Sequence, residues 1–184
     1  SLLLNLILFF SIYLIIQTLF DLYDGLKSRS INLSRIISHL GFGLLIFFIF
    51  INHIFSQESN FNLRVGETKE TDNYVIKFEN LEKFSDSNYK SIIGHFKISN
   101  KKKLFKENLK PEIRIYNKPM TVTYEASINS GFFSDTYLTM SNISDSDIFN
   151  IKFQKKPFMN FIWLSVLLVS LGGLINFFNR KNSI

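Results

Sequence analysis

Cysteine is absent from this 184-residue chain, tryptophan occurs once, and histidine and proline occur three times each. Without thiols the chain forms no disulfide, performs no thiol exchange and offers no thiolate to a metal. His39, His53 and His95 stand far apart, so counting excludes a closed metal cluster of the zinc type. No Ser/His/Asp set, paired carboxylates or glycine-rich phosphate loop is visible, which argues against a self-contained hydrolase or nucleotide enzyme. The net charge of +6 invites a nucleic-acid reading, but half of it lies in short segments beside apolar runs. The remaining +3, from 16 basic and 13 acidic residues, is diluted over residues 56–156. Lys101-Lys102-Lys103 is the one tight basic run and reads as a solvated turn between strands rather than a phosphate or headgroup contact. Nucleic acid is not an expected partner.

What the chain does have is apolar length. Residues 2–20, 36–55 and 158–178 form three runs of 19 to 21 residues, each reaching roughly 30 Å as a helix, the thickness of a bilayer core. The first offers only Asn5, Ser11, Gln17 and Thr18 as polar side chains, so lipid or a partner helix must surround it. It lacks the basic start and small-residue cleavage site of a secretory signal. The chain begins at Ser1 rather than Met, as expected of part of a longer protein. The organisation expected is transmembrane helix 1 at 1–22, a basic inside loop at 23–35, transmembrane helix 2 at 36–55, an exported β domain at 56–156, transmembrane helix 3 at 157–178 and an inside tail at 179–184. Lys27, Arg29 and Arg35 on one flank, and Arg180 and Lys181 on another, set the orientation. Short basic flanks stay on the cytoplasmic or matrix side, which places residues 56–156 on the opposite face.

The exported block alternates with period two, the signature of half-buried strands. In Tyr74-Val75-Ile76-Lys77-Phe78-Glu79 the apolar Tyr74, Ile76 and Phe78 share one face. Similar runs occupy 91–99, 112–116, 121–128, 135–140 and 147–154, separated by turn chemistry at 86–88, Asn100 with the lysines, 117–119, 129–131 and 142–147. Six or seven strands at this spacing predict a small barrel or sandwich with a core of its own. The fold class expected is membrane α-helical with an inserted all-β domain. Lys155-Lys156 suits a headgroup region, Pro157 the first turn of the next helix, and Phe158, Phe161 and Trp163 an aromatic belt. Gly172-Gly173 lets a neighbouring helix approach.

Inside the spans one side chain stands out, His39, in Ser38-His39-Leu40-Gly41-Phe42-Gly43. An imidazole in hydrocarbon is costly and usually kept for function. It reads either as a packing histidine bonded to a neighbouring span or as a ligand of an embedded iron porphyrin. Gly41 and Gly43 suit a porphyrin edge or a close helix equally. His53 reads as interfacial and His95 as structural or surface. Glu125 reads as a solvated carboxylate or, at the membrane face, a partner contact. Arg114 and Tyr116 read as outward-facing.

Four segments carry a family likeness. They are Ser38-His39-Leu40-Gly41, Pro111-Glu112-Ile113-Arg114-Ile115-Tyr116-Asn117, Thr123-Tyr124-Glu125-Ala126-Ser127-Ile128, and Lys156-Pro157-Phe158 with Ile162-Trp163 and Leu171-Gly172-Gly173-Leu174. From about Arg35 onward the chain resembles the C-terminal part of the CcmF family of cytochrome c-type biogenesis proteins, the membrane haem lyase subunits. The resemblance implies a bacterial inner membrane or a mitochondrial one, with the β domain on the periplasmic or intermembrane side. It implies a protein that receives haem from a haem chaperone and attaches it to exported apocytochrome c. It also implies a resident haem b that reduces the substrate haem iron from quinol, with His39 as one axial ligand. The family's tryptophan-rich segment, its exported-side histidines and the second haem b ligand are absent here. The chain is thus a fragment or a separately encoded subunit that depends on the remainder of the haem lyase. Two other readings stand beside this one. The first is a non-catalytic, membrane-anchored assembly factor whose β domain binds a partner without haem. The second, a transporter fragment, is disfavoured because no repeat and no mid-bilayer acidic residue is seen.

Overall fold

The computed structural model describes residues 2–101, 103–142 and 147–181. Lys102, most of the turn expected at 142–147 and the end of the tail at 179–184 lie outside the described residues. The chain divides into a helical unit (1–55, 132–134, 157–184) and a β unit (56–131, 135–156).

Three helices build the first unit: α1 (Leu2–Ser28), α2 (Leu33–Phe55) and α3 (Met159–Lys181). All three are long and apolar enough to cross a membrane. Helix α1 runs past the predicted span and ends where Arg29 turns left-handed at φ 53°. The Ser30 N–H then donates to the Gly25 carbonyl at 3.1 Å, a six-to-one closure that satisfies one of the last-turn acceptors. Asn32 caps α2, its side-chain oxygen accepting the Arg35 N–H at 3.1 Å.

Small residues bring these helices together. The buried residues of α1 are Ser11, Thr18 and Gly25, seven apart. Ser11 and Thr18 return their hydroxyls to the carbonyls of Leu8 and Leu14 in their own helix. A Cβ on Gly43 would lie 2.9 Å from Ile15 Cγ1 of α1, and one on Gly41 would lie 2.8 Å from Leu168 Cβ and the Val169 nitrogen of α3. Both glycines therefore serve close helix approach, which decides between the two uses open to them. A Cβ on Gly172 would overlap the Ser38 hydroxyl and lie 2.7 Å from the Ser38 nitrogen. Ser34 Oγ, buried in the same seam, donates to the Gly172 carbonyl at 2.9 Å. Gly172→Ala is therefore expected to force α2 and α3 apart, costing roughly 1–3 kcal/mol as overpacking does. Gly173, whose added Cβ would meet nothing within 4 Å, tolerates the same change. Comparing the thermal midpoints of the two variants in one detergent checks this, and equal midpoints would refute it.

The β unit is a sandwich. Its strands are β1 (Gln57–Leu63), β2 (Thr68–Glu70), β3 (Tyr74–Ser85), β4 (Tyr89–Asn100), β5 (Lys103–Leu109), β6 (Glu112–Asn117), β7 (Met120–Glu125), β8 (Ser127–Ser130), β9 (Ser134–Asn142) and β10 (Phe149–Pro157). One antiparallel sheet runs β1-β10-β9-β8, and the other runs β2-β3-β4-β6-β7, with β5 also paired to β4. The run expected as one strand over 121–128 divides at Ala126: β7 pairs with β6 in one sheet, and β8 pairs with β9 in the other. Strands β1, β2 and β5 add to those predicted. Gln57-Glu58-Ser59-Asn60 shows no alternation, and its strand exists because β10 supplies a ladder from Lys155 to Phe149.

The core follows the predicted inward faces. Ile76, Phe78, Phe96, Ile98, Leu138, Ile151 and Phe153 are all at most 1% exposed. Phe78 and Phe96, opposite each other in the β3–β4 ladder, stack at 4.3 Å between ring centres, and Phe149 meets Phe78 edge-on at 5.6 Å. Pro157 departs from expectation. It ends β10 rather than opening α3, and Phe158 makes the transition at φ 60°.

Candidate functional site

Helix α2 turns opposite faces to its surroundings. Ser34, Ile36, Gly41, Gly43 and Phe50 are buried, whereas Arg35, His39, Phe42, Ile49 and His53 are exposed at the three- and four-residue spacing that shares one helix face. His39 thus points away from the seams that α2 makes with α1 and α3. Among the described residues no side chain hydrogen-bonds to it, so the packing alternative finds no partner within this helical unit. Arg35, one turn before it, pairs with Asp21 of α1 at 3.6 Å, so His39 lies about 6 Å along the helix from that polar end. Phe42, one turn further and exposed, continues the same face in apolar form.

The other histidines stand elsewhere. His53 is exposed near the opposite end of α2, about 21 Å of helix from His39. His95, in β4, brings its Nε2 to 3.0 Å from Glu82 Oε2 across the β3–β4 hairpin, an exposed carboxylate and a half-buried ring. Among the described residues no group of three or more histidine, aspartate and glutamate side chains is placed to hold a metal ion. His39 therefore stands, among the described residues, as a lone nitrogen donor rather than part of a cluster.

The family-like segment 111–117 forms β6, and its polar residues are occupied with one another. Arg114 Nη2 donates to Glu112 Oε2 at 2.8 Å and its guanidinium lies 5.1 Å from the Tyr89 ring centre. Thr123 donates to Glu125 at 2.9 Å, and Glu125 stands opposite Glu112 in the β6–β7 ladder. Arg114 and Tyr116 face outward as expected, yet both are half-buried. The Arg114 hydrogen bond holds the Glu112 carboxyl below the usual carboxylate range. A carboxyl depressed in this way stabilises the fold while ionised, above the unfolded value of about 4.3, and loses that contribution as pH falls through its folded value. Acid unfolding of the β unit should therefore be shallower in Glu112→Gln below pH 5, by on the order of 1 kcal/mol for a half-buried pair. Parallel acid titrations of the two proteins, followed by protease sensitivity, measure it. Superimposable curves would remove the assignment.

Sequence reading missed one polar cluster. Glu107 of β5 and Thr136 of β9, 6% and 1% exposed, meet through a 3.2 Å hydrogen bond. Lys155 of β10 donates to Thr136 Oγ1 at 2.6 Å and lies 3.6 Å from Glu107. Burial, with the Glu107 charge nearby, pushes the Tyr74 phenol up. The sequence suits Lys155 to a headgroup region, whereas its ammonium serves this internal pair. No signal in the sequence joins residues 107, 136 and 155. Only strand pairing does.

Comparison with known proteins bears on the whole of this arrangement. The family model described as the CcmF C-terminal β-sandwich matches residues 54–157. The cytochrome c-type biogenesis protein CcmF of Pseudomonas aeruginosa is 27% identical over 145 residues, covering 79% of this chain and 22% of that protein. CcmF of Haemophilus influenzae is 29% identical over 155 residues, covering 84% of this chain and 24% of its own length. CcmF of Escherichia coli is 23% identical over 157 residues. The solved structure of a cytochrome c haem lyase CcmF superimposes with a TM-score of 0.56 at 16% identity, over 77% of this chain and 23% of that one. That last likeness speaks to fold alone. The chain spans about a quarter of the length of the relatives it matches.

Proposed function

The chain belongs to the CcmF family through its C-terminal β-sandwich, and from that premise we propose that it is the C-terminal portion of a haem lyase whose His39 supplies one axial ligand to an intramembrane haem b. The observation that carries the reading is the exposure of His39 on the face of α2 that packs against neither α1 nor α3. An imidazole on the exposed face of a membrane helix needs a partner for its lone pair, and an iron held with the remainder of the protein would answer that need.

The residues present fit one side of such a group. His39 offers a nitrogen donor, and Phe42 extends an apolar wall one turn along. Gly41, Gly43 and Gly172 keep α2 close to its neighbours, so that the imidazole is presented from a rigid helix. Ligation requires a neutral ring whose second nitrogen is held by an acceptor, and that acceptor belongs to a segment outside this chain. Bound there, haem b would supply one-electron chemistry for reducing the iron of the substrate haem. The basic flanks support an orientation with α2's Arg35 end on the cytoplasmic or matrix side and the β unit on the periplasmic or intermembrane side. The β unit then serves as a docking or closing element toward the haem chaperone and apocytochrome c.

A membrane-anchored assembly factor that works without haem makes the opposite prediction at one position. His39→Leu, in the chain assembled with the remainder of its lyase, should lower b-type haem per complex while leaving assembly intact. Unchanged haem with intact assembly would favour the haem-free reading.

A further inference from the structure

We propose that Phe132 and Phe133, in the loop between β8 and β9, are seated in the interfacial layer of a phospholipid bilayer. The loop counts with the helical unit, and two hydrogen bonds fix its level. The Phe133 carbonyl accepts the Phe158 N–H at 2.7 Å, and the Phe132 carbonyl accepts Asn160 Nδ2 at 3.4 Å. Phe158 immediately precedes α3 and Asn160 lies in its first turn, and α3 is long and apolar enough to span a membrane. The loop therefore lies at the height where that span begins.

The rings confirm the level. Phe132 meets Phe161 edge-on at 5.4 Å, Phe133 stacks with Phe161 at 6.1 Å, and Phe48 of α2 closes on Phe161 at 5.0 Å. Phe158 joins them from a left-handed backbone, φ 60°, a conformation costly for a bulky residue that surrounding contacts must hold. With these contacts made, Phe132 and Phe133 are still 69% and 62% exposed. Two adjacent phenyl rings presenting that much apolar surface beside the mouths of two spans match the side chains that interfacial elements bury at the headgroup–acyl boundary. Lipid is the occupant that this height supplies. Trp163, 62% exposed, lies four residues past the start of α3 at Met159 and so about 6 Å deeper along that helix.

The experiment uses the full chain in phosphatidylcholine vesicles whose acyl chains carry bromine either close to the headgroup or near the chain end. Phe132→Trp and Phe133→Trp are made separately in a Trp163→Phe background, so each protein reports from one indole. Both should lose most of their emission to the shallow bromines, less to the deep ones, and should resist aqueous iodide. Native Trp163 should shift its preference toward the deeper label. Quenching by iodide with no effect of bromolipid would place the loop in water. Resistance to both quenchers would place it under another polypeptide. Either result, seen in both variants, overturns the proposal.

Discussion

His39→Ala, in the chain assembled with the remainder of the proposed haem lyase, is expected on the proposed ligation to strip most of the b-type haem while leaving the helices and β unit folded. The proposed ligation makes the loss large because alanine supplies no donor to the iron. Removing even a group that merely supports a ligating histidine typically weakens metal affinity by about 10- to 100-fold, and removing the nitrogen itself should do at least as much. The fold should survive, since His39 is exposed and contributes nothing to the Ser34, Gly41, Gly43 and Gly172 seams. Absorption spectra of purified complexes, normalised to protein, give the haem content. Imidazole added to the buffer should restore part of it, a rescue that a packing role would not show. His53→Ala serves as the comparison, because it changes an exposed imidazole near the far end of the same helix. If both variants retain full occupancy, haem ligation is not what keeps a histidine at position 39.

The second large effect belongs to the β unit. Phe78 is fully buried, stacked on Phe96 and edged by Phe149, so Phe78→Ala leaves a cavity at the meeting of the two sheets. Such truncations cost about 3–5 kcal/mol, against a total stability of about 5–15 kcal/mol for an ordinary domain. The variant should lose much of its resistance to urea, followed as protease cleavage within residues 56–131 of the membrane-embedded chain. Phe84→Ala removes the same ring from a half-exposed position on the same strand and should change stability by less than about 0.5 kcal/mol, leaving the midpoint nearly in place. Equal shifts for the two would mean that the sandwich core is not where its stability resides.

Some of this was legible without coordinates. Helix length and apolarity depend on local composition alone, so the spans could be read from 2–20, 36–55 and 158–178. Period-two alternation is equally local, and it correctly placed Tyr74, Ile76 and Phe78 on one side of a strand. Where alternation failed, reading failed. The Gln57-Glu58-Ser59-Asn60 segment becomes a strand only because β10 presents a ladder to it, and the break at Ala126 reflects a change of sheet rather than a change of residue type.

The sequence by itself determined which segments are apolar enough to enter a membrane, that the block between them is β, and that an imidazole, His39, lies within a span. These follow from side-chain chemistry summed over a few neighbours. Only the tertiary structure decided which way that imidazole points, that Gly41 and Gly43 approach different helices, and that Lys155 turns inward to Glu107. Each of those outcomes depends on residues far apart in the chain being brought within a few ångströms. Close packing and burial, not local preference, set the energies there.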